Sequence, residues 1–313
     1  MEVKIFGIDL FVKAEAFTIG GFTFYWYGII IGLGFLLAIL YGMKNADRFG
    51  INKDHMIDVV LVVTPIAILS ARAYFCFFPY ADGTRITSFK EFFGLGSGEG
   101  FRGLAIYGAV IGAFISGYFM CKLRKVKVLD MFDLAAIGFI IGQGVGRWGN
   151  FFNQEAFGSE TGSAWFGMMS KETGGVNVHP CFLYESLWCI AGFFVLNYFS
   201  KKRSFSGQIF LLYGVWYGFG RFFIEYLRTD SLMIGKMKVS MLLSALIFIT
   251  CLTLLLVLNK KSIVKAKQTE YVSLFKEQFD DDEDNDDLQD EVVQDESAEE
   301  DVALVENAEK EEE

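Results

Sequence analysis

The chain has 313 residues, 53% of them hydrophobic and 17% aromatic, with a mean hydropathy of +0.36 and only 3 prolines. A soluble domain is about 45–50% apolar with glycine counted; this chain exceeds that before its 33 glycines are added, which excludes an ordinary water-soluble domain and points to an integral membrane protein. The net charge of −10 hides two unlike parts, because the 19 Asp or Glu and single Lys from Asp280 onward carry −18 and leave +8 on the body.

Residues 1–21 alternate apolar and polar side chains and read as a short amphipathic strand or interfacial segment. No clean basic region precedes a short apolar core there, so no cleavable signal peptide is expected. A membrane-spanning helix needs about 20 mainly apolar residues. Seven stretches qualify, at about 22–43, 56–78, 103–122, 130–148, 181–199, 207–227 and 239–259. The predicted architecture is therefore an all-α integral membrane protein with about seven transmembrane helices over residues 22–260. Residues 1–21 form an extracytoplasmic segment ahead of it, and 261–313 a cytoplasmic tail.

Basic residues in short loops set the orientation. The loops after the first, third and fifth helices, with the segment after the seventh, hold 14 Lys or Arg, among them Lys44, Arg124, Arg203 and Lys260; the opposite side holds about nine, Arg228 among them. That bias puts the N-terminus outside and the C-terminus in the cytoplasm, and exposes the longer loops 79–102 and 149–180 on the outer face. The acidic tail from about residue 280 has no aromatic residue and little apolar content, so it is expected to be disordered and is assigned no catalytic role.

Cys76, Cys121, Cys181, Cys189 and Cys251 are scattered with no CxxC and read as small buried hydrophobes. His55 and His179 lie far apart, and no metal-ligand spacing is present. Glycines four apart recur as Gly28 and Gly32, Gly108 and Gly112, Gly138, Gly142 and Gly146, and Gly214 and Gly218, a spacing that lets helices cross closely in lipid.

Polar groups inside the apolar runs carry the most information, because an ionisable side chain in a membrane is costly and is kept for function. Arg72 stands late in the second helix, Gln143 and Arg147 late in the fourth, Glu185 early in the fifth, and Arg221 and Glu225 late in the sixth. With alternating helix direction these ends fall on the outer side. Arg221 and Glu225 share a helix face, as does Tyr217, one turn earlier. Glu185 and Glu225 cannot neutralise all the arginines at this level, and the excess positive charge fits an anionic ligand, a phosphate above all, which guanidinium grips as a fork. The densest stretch is Gly146–Gly158, GRWGNFFNQEAFG, placed where the fourth helix gives way to a polar loop.

GRWGNFFNQEAFG resembles the signature of the prolipoprotein diacylglyceryl transferases. Similar agreement is found at YWYG in the first helix, SARAYF in the second, GLAIYGAVIGA in the third, HPCFLYES in the fifth, GRFFIEYLRTDSLMIG in the sixth and KVSMLLS at the seventh. Together these cover most of residues 20–258 and leave the acidic tail outside. The resemblance implies an enzyme of the bacterial cytoplasmic membrane. It would move an sn-1,2-diacylglyceryl group from phosphatidylglycerol to the lipobox cysteine thiol of a prolipoprotein and release glycerol 1-phosphate, with no metal or other cofactor. Residue by residue, it places Arg147, with Asn150 and Gly158, on the phosphatidylglycerol headgroup, along with Tyr27 and Arg72. Tyr107, Glu155, Tyr217, Arg221 and Glu225 become the catalytic candidates.

Tyr107 stands where many members carry a histidine, and a phenol with a pKa of about 10 is a poor base at neutral pH, though a good hydrogen-bond donor. Met241 likewise replaces a common glutamine. Glu155 and Glu225 are both candidates to accept the thiol proton, and His179 is a third, although a His-Pro pair also suits a helix start. A transporter or channel for an anionic solute is the rival reading. Its usual inverted repeats are not visible between the halves.

Overall fold

The computed structural model describes residues 2–20, 22–77, 92–93, 103–229, 233–235 and 237–280. Two compact units divide the chain, Met1–Ser262 and Ile263–Glu313. Seven long helices dominate: α1 (Trp26–Asn45), α2 (Lys53–Phe77), α3 (Ile106–Leu123), α4 (Val128–Asn153), α5 (Cys181–Ser200), α6 (Gln208–Leu227) and α7 (Val239–Asp280). Among the described residues six are long and apolar enough to cross a membrane; α6, which carries Gln208, Arg221 and Glu225, falls outside that set. A helix closes all its backbone hydrogen bonds within itself, the condition lipid imposes.

Burial is inverted relative to a soluble protein. Only 6% of the apolar window of α7 is buried, and Leu246, Ile249 and Leu256 stand more than half exposed, an arrangement stable where the surroundings are acyl chains. The buried core is modest and sits where α4 and α5 meet α1, α2 and α6, around Phe49, Met56, Ile137, Ile140, Leu196 and Ile209. α1 packs chiefly on α4, α2 on α3, and α4 on α5.

Two corrections concern the ends of elements. The first helix begins at Trp26, not near residue 22, because Phe22–Tyr25 is a strand. The expected single interfacial segment is two hairpins: β1 (Glu2–Ile5) with β2 (Ile8–Phe11), and β3 (Glu15–Ile19) with β4 (Phe22–Tyr25). β1 also pairs antiparallel with β5 (Met168–Ser170), giving the order β2-β1-β5. This sheet covers a second apolar cluster of Val3, Val12, Phe151, Met168, Val178 and Phe182 and caps the ends of α4 and α5. The α4 helix continues to Asn153, beyond the expected end near residue 148, so the first half of the glycine-rich motif is helical. A short pair, β6 (Met233–Ile234) and β7 (Met237–Lys238), precedes α7. Of the expected outer loop 79–102, all but residues 92–93 lies outside the described residues, as does the acidic tail beyond Asp280.

Helix contacts use the small residues unevenly. A Cβ on Gly108 or Gly112 would sit 2.4 Å or 2.3 Å from Ser70 atoms, and one on Gly218 2.8 Å from the Ser244 carbonyl, whereas Gly28 and Gly32 face open space. The close-crossing expectation therefore holds for the α2–α3 and α6–α7 contacts and not for the α1 pair.

α5 and α6 are locked by two indoles. Trp188 Nε1 donates to the Trp216 carbonyl and Trp216 Nε1 to the Trp188 carbonyl, each at 3.0 Å, with the rings stacked 4.3 Å apart. Gly220 leaves room for this, since a Cβ there would lie 2.1 Å from Trp188 Nε1. Gly220→Ala is expected to destabilise the fold by about 1–3 kcal/mol, the usual cost of overpacking. A thermal melt in detergent would show a lowered midpoint; an unmoved midpoint would contradict the tight fit.

At the opposite end of the bundle from the site described below, Arg203 Nη1 donates to Asp130 Oδ1 at 2.7 Å and Asp133 Oδ2 at 2.8 Å. Asp133, fully buried, also accepts from the backbone N–H groups of Gly207 and Phe210 at 2.8 Å each. It thereby satisfies donors at the start of α6 that have no partner within the helix. Sequence patterning read Arg203 only as an orientation signal; its structural role depends on a partner about 70 residues away.

Candidate active site

The GRWGNFFNQEAFG motif is both helix end and staple. α4 stops at Gln154, whose left-handed φ of 56° turns the chain, and Ala156 repeats that conformation at φ 58°. The chain then runs to Gly158, whose N–H donates to the His179 carbonyl at 2.9 Å, while Gly158 forms a β-bridge with Arg228. Ser159 N–H donates to the Leu227 carbonyl at 2.8 Å. The motif thus ties the end of α4 to the start of α5 and the end of α6. A Cβ on Gly158 would meet His179 Cβ at 2.7 Å and Cys181 Sγ at 2.9 Å, so the junction closes only around glycine.

Five charged side chains meet where these ends converge. Glu185 receives Arg147 Nη2 on Oε2 and Arg221 Nη1 on Oε1, both at 2.6 Å. Arg221 Nη2 reaches Glu225 Oε2 at 2.5 Å. Arg228 lies 3.6 Å from Glu185 and 3.9 Å from Glu225. Neither carboxylate belongs to one arginine alone. Among these five side chains three guanidiniums face two carboxylates, in a setting where Glu185 and Glu225 are buried and Arg147 keeps 21% of its side chain accessible. Glu225 Oε2 has ion-pair distance without hydrogen-bond alignment. Lys238 Nζ caps the end of α6 by donating to the carbonyls of Glu225, Tyr226 and Arg228.

The remaining expected residues divide into two groups. Tyr27 joins the cluster: its ring fills the space left by Gly149, where a Cβ would be 2.7 Å away, and its hydroxyl is within Coulomb reach of Glu155 and Arg147. Asn150 Nδ2 donates to Glu155 Oε1 at 2.9 Å, and Asn153 Nδ2 to the same oxygen at 3.5 Å, with Glu155 itself exposed. Tyr217 lies beneath Arg221 and Arg147, stacked on Tyr213 at 5.8 Å. Arg72 and Tyr107 belong to the α2–α3 pair. Arg72 donates to the carbonyls of Phe92 and Gly103 at 2.9 Å and 3.1 Å, and Tyr107 has Tyr74 as its ring neighbour at 6.4 Å. His179 is engaged through Nδ1 with the Tyr184 hydroxyl at 3.2 Å, next to the Pro180 cap of α5.

Arg228 is the cluster residue that sequence reasoning left among the loop cations. A signal existed: it is three residues after Glu225 and seven after Arg221, close to one helix face. Among the described residues no group of three His, Cys, Asp or Glu converges in a way that would hold a metal ion. Chemically, the arrangement can bind a phosphate through excess guanidinium, stabilise negative charge that develops on it, and offer an exposed carboxylate, Glu155, beside it.

Comparison with known proteins agrees with this chemistry. The model of the family described as prolipoprotein diacylglyceryl transferase matches residues 14–257. A phosphatidylglycerol–prolipoprotein diacylglyceryl transferase from Limosilactobacillus reuteri (strain DSM 20016) is 40% identical over 268 residues, covering 82% of this chain and 95% of the relative. The proteins of that name from Bacillus mycoides (strain KBAB4) and Bacillus cereus (strain Q1) are each 40% identical over 257 residues, covering 78% of this chain and 92% of theirs.

Proposed function

The chain belongs to the prolipoprotein diacylglyceryl transferase family, and from that premise we propose that it transfers the sn-1,2-diacylglyceryl group of phosphatidylglycerol to the lipobox cysteine of prolipoproteins, the first step of their maturation. It works as a multi-pass protein of the bacterial cytoplasmic membrane. α6 is the seventh span, the N-terminal hairpins and the arginine cluster face outward, and the acidic tail lies in the cytoplasm. Membership of this family disfavours the anion transporter.

The observation that carries the chemistry is the surplus guanidinium over Glu185 and Glu225. A phosphodiester is acceptor-only and monoanionic, so it complements that surplus. Arg147, the more accessible of Arg147 and Arg221, binds the phosphate in the ground state, with Asn150 and Tyr27 shaping the same rim. Gly158 keeps the junction closed beneath it. Tyr217 orients the lipid from below.

The substrate cysteine supplies the nucleophile. A free thiol has a pKa of about 8.5, and the thiolate is the attacking species; adjacent guanidiniums favour it. Sulfur bonds to the glycerol carbon, the bond from that carbon to phosphate oxygen breaks, and the electron pair leaves on the phosphate. The glycerol phosphate that departs gains negative charge, which Arg147 and Arg221 stabilise. The thiol proton passes to Glu155. Its competitor Glu225 is buried and held by Arg221, whereas Glu155 is exposed and uses only Oε1 for Asn150 and Asn153. Arg72 and Tyr107, on the α2–α3 side, contact the lipid or peptide away from the reacting carbon.

Incubating the purified protein with phosphatidylglycerol and a lipobox peptide tests this reading. Mass spectrometry should show the peptide heavier by one diacylglyceryl unit. An unmodified peptide, with anion flux into proteoliposomes instead, would return the transporter to favour.

A further inference from the structure

One turn below the arginine cluster, α4 and α6 hold a polar pair that the reaction as derived does not use. Gln143 Nε2 donates to the Tyr213 hydroxyl at 2.8 Å. Gln143 Oε1 is fully buried and has no hydrogen-bond partner among the described residues. A buried, unsatisfied acceptor costs about 1–3 kcal/mol, so this one calls for an occupant. The tyrosine hydroxyl, having accepted from the amide, still has its own proton to give. If the amide is turned over, the hydroxyl donates to Oε1 and the two N–H donors of the amide are left over instead, beside the free lone pair of the phenol. Either way the pair presents at least one donor and an acceptor side by side. A phosphate oxygen accepts only and an ammonium donates only. The ligand that answers both at once is a hydroxyl.

The pair is also joined to the charged site. Gln143 precedes Arg147 by four residues on α4, and Tyr213 precedes Tyr217, which precedes Arg221, by the same step on α6. The two tyrosine rings are stacked 5.8 Å apart, 13° from parallel. Four residues of helix rise about 6 Å, a distance that a three-carbon headgroup spans from a phosphate held by Arg147.

We propose that Gln143 and Tyr213 bind a hydroxyl of the lipid headgroup and so set the preference for a glycerol-bearing phosphodiester. The inference rests on the transferase reading above and adds a specificity subsite to it.

The test compares two donors with the purified full-length protein and a lipobox peptide. One is phosphatidylglycerol; the other is phosphatidylethanol, a phosphodiester of the same charge whose headgroup has no hydroxyl. The wild-type protein should favour phosphatidylglycerol by about tenfold or more in kcat/KM, and Gln143→Met should reduce that ratio by about tenfold, the scale of one buried hydrogen bond. A ratio equal to that of the wild type, whether both rates fall or neither does, would overturn the proposal; it is also what a bound water at this place would produce. Should Gln143→Met fail to accumulate, Tyr213→Phe, which removes a single oxygen, decides by the same ratio. Equal use of the two lipids by the wild-type protein would overturn the subsite and leave the transferase intact, whereas transfer from neither lipid would overturn the transferase reading itself.

Discussion

Arg147→Ala should lower diacylglyceryl transfer by about two to three orders of magnitude, the usual cost of removing one donor from a charge-stabilising site. The reasoning is one of distribution. Arg221 is spent on Glu185 and Glu225 at 2.6 Å and 2.5 Å, and Arg228 stands farther from both. Arg147 touches Glu185 through one nitrogen and keeps the largest accessible share of the three. Without it the cluster holds two guanidiniums to two carboxylates, with less positive charge to draw a phosphodiester. Arg147→Lys restores the charge but not the planar fork, and should recover only part of the rate. The measurement is initial rate on a lipobox peptide at several phosphatidylglycerol concentrations. Turnover within a few-fold of wild type for the alanine variant would remove Arg147 from the headgroup site.

Glu185→Ala should be a folding defect before it is a catalytic one. Among the described residues Glu185 is the carboxylate that reaches Arg147 on α4 and both Arg221 and Arg228 on α6 and its end. Deleting it removes a shared partner from three guanidiniums, Arg147, Arg221 and Arg228. Breaking a buried pair by removing one partner costs about 3–5 kcal/mol, and here several pairs share the partner. We expect a lower yield of folded protein in detergent and a clearly reduced melting midpoint. Glu185→Gln, which keeps the hydrogen-bond acceptor and loses the charge, should fall between. An unchanged midpoint for the alanine variant would mean that solvent or lipid phosphate already screens the arginines in the resting protein.

How far the site could be read in advance differs from residue to residue. Arg147, Arg221 and Glu225 stood out because an ionised group inside an apolar run carries a cost that only function or pairing repays. Tyr27 and Gly158 emerged from motif resemblance alone. Arg228 was passed over because it follows the last apolar turn, where a cation is unremarkable. Arg72 carried the same intramembrane signal as Arg147 yet stands with α2 and α3, held by the carbonyls of Phe92 and Gly103. Sequence could rank its depth along a helix but not the direction in which that helix turned it.

Composition and spacing were sufficient for the multi-pass membrane character, for the long apolar helices and for the ionisable groups that stand inside or at the ends of apolar runs. Those properties are sums along the chain, and apolar length and local charge enter them without reference to distant residues. Which carboxylate each arginine meets, the continuation of α4 through Asn153, the Trp188–Trp216 lock, the Asp133–Arg203 staple and the unsatisfied Gln143 oxygen were decided only by tertiary packing. Each depends on a partner from another helix arriving at one rotation and one depth, and in close-packed helices a turn of roughly 100° per residue changes which side chains can touch.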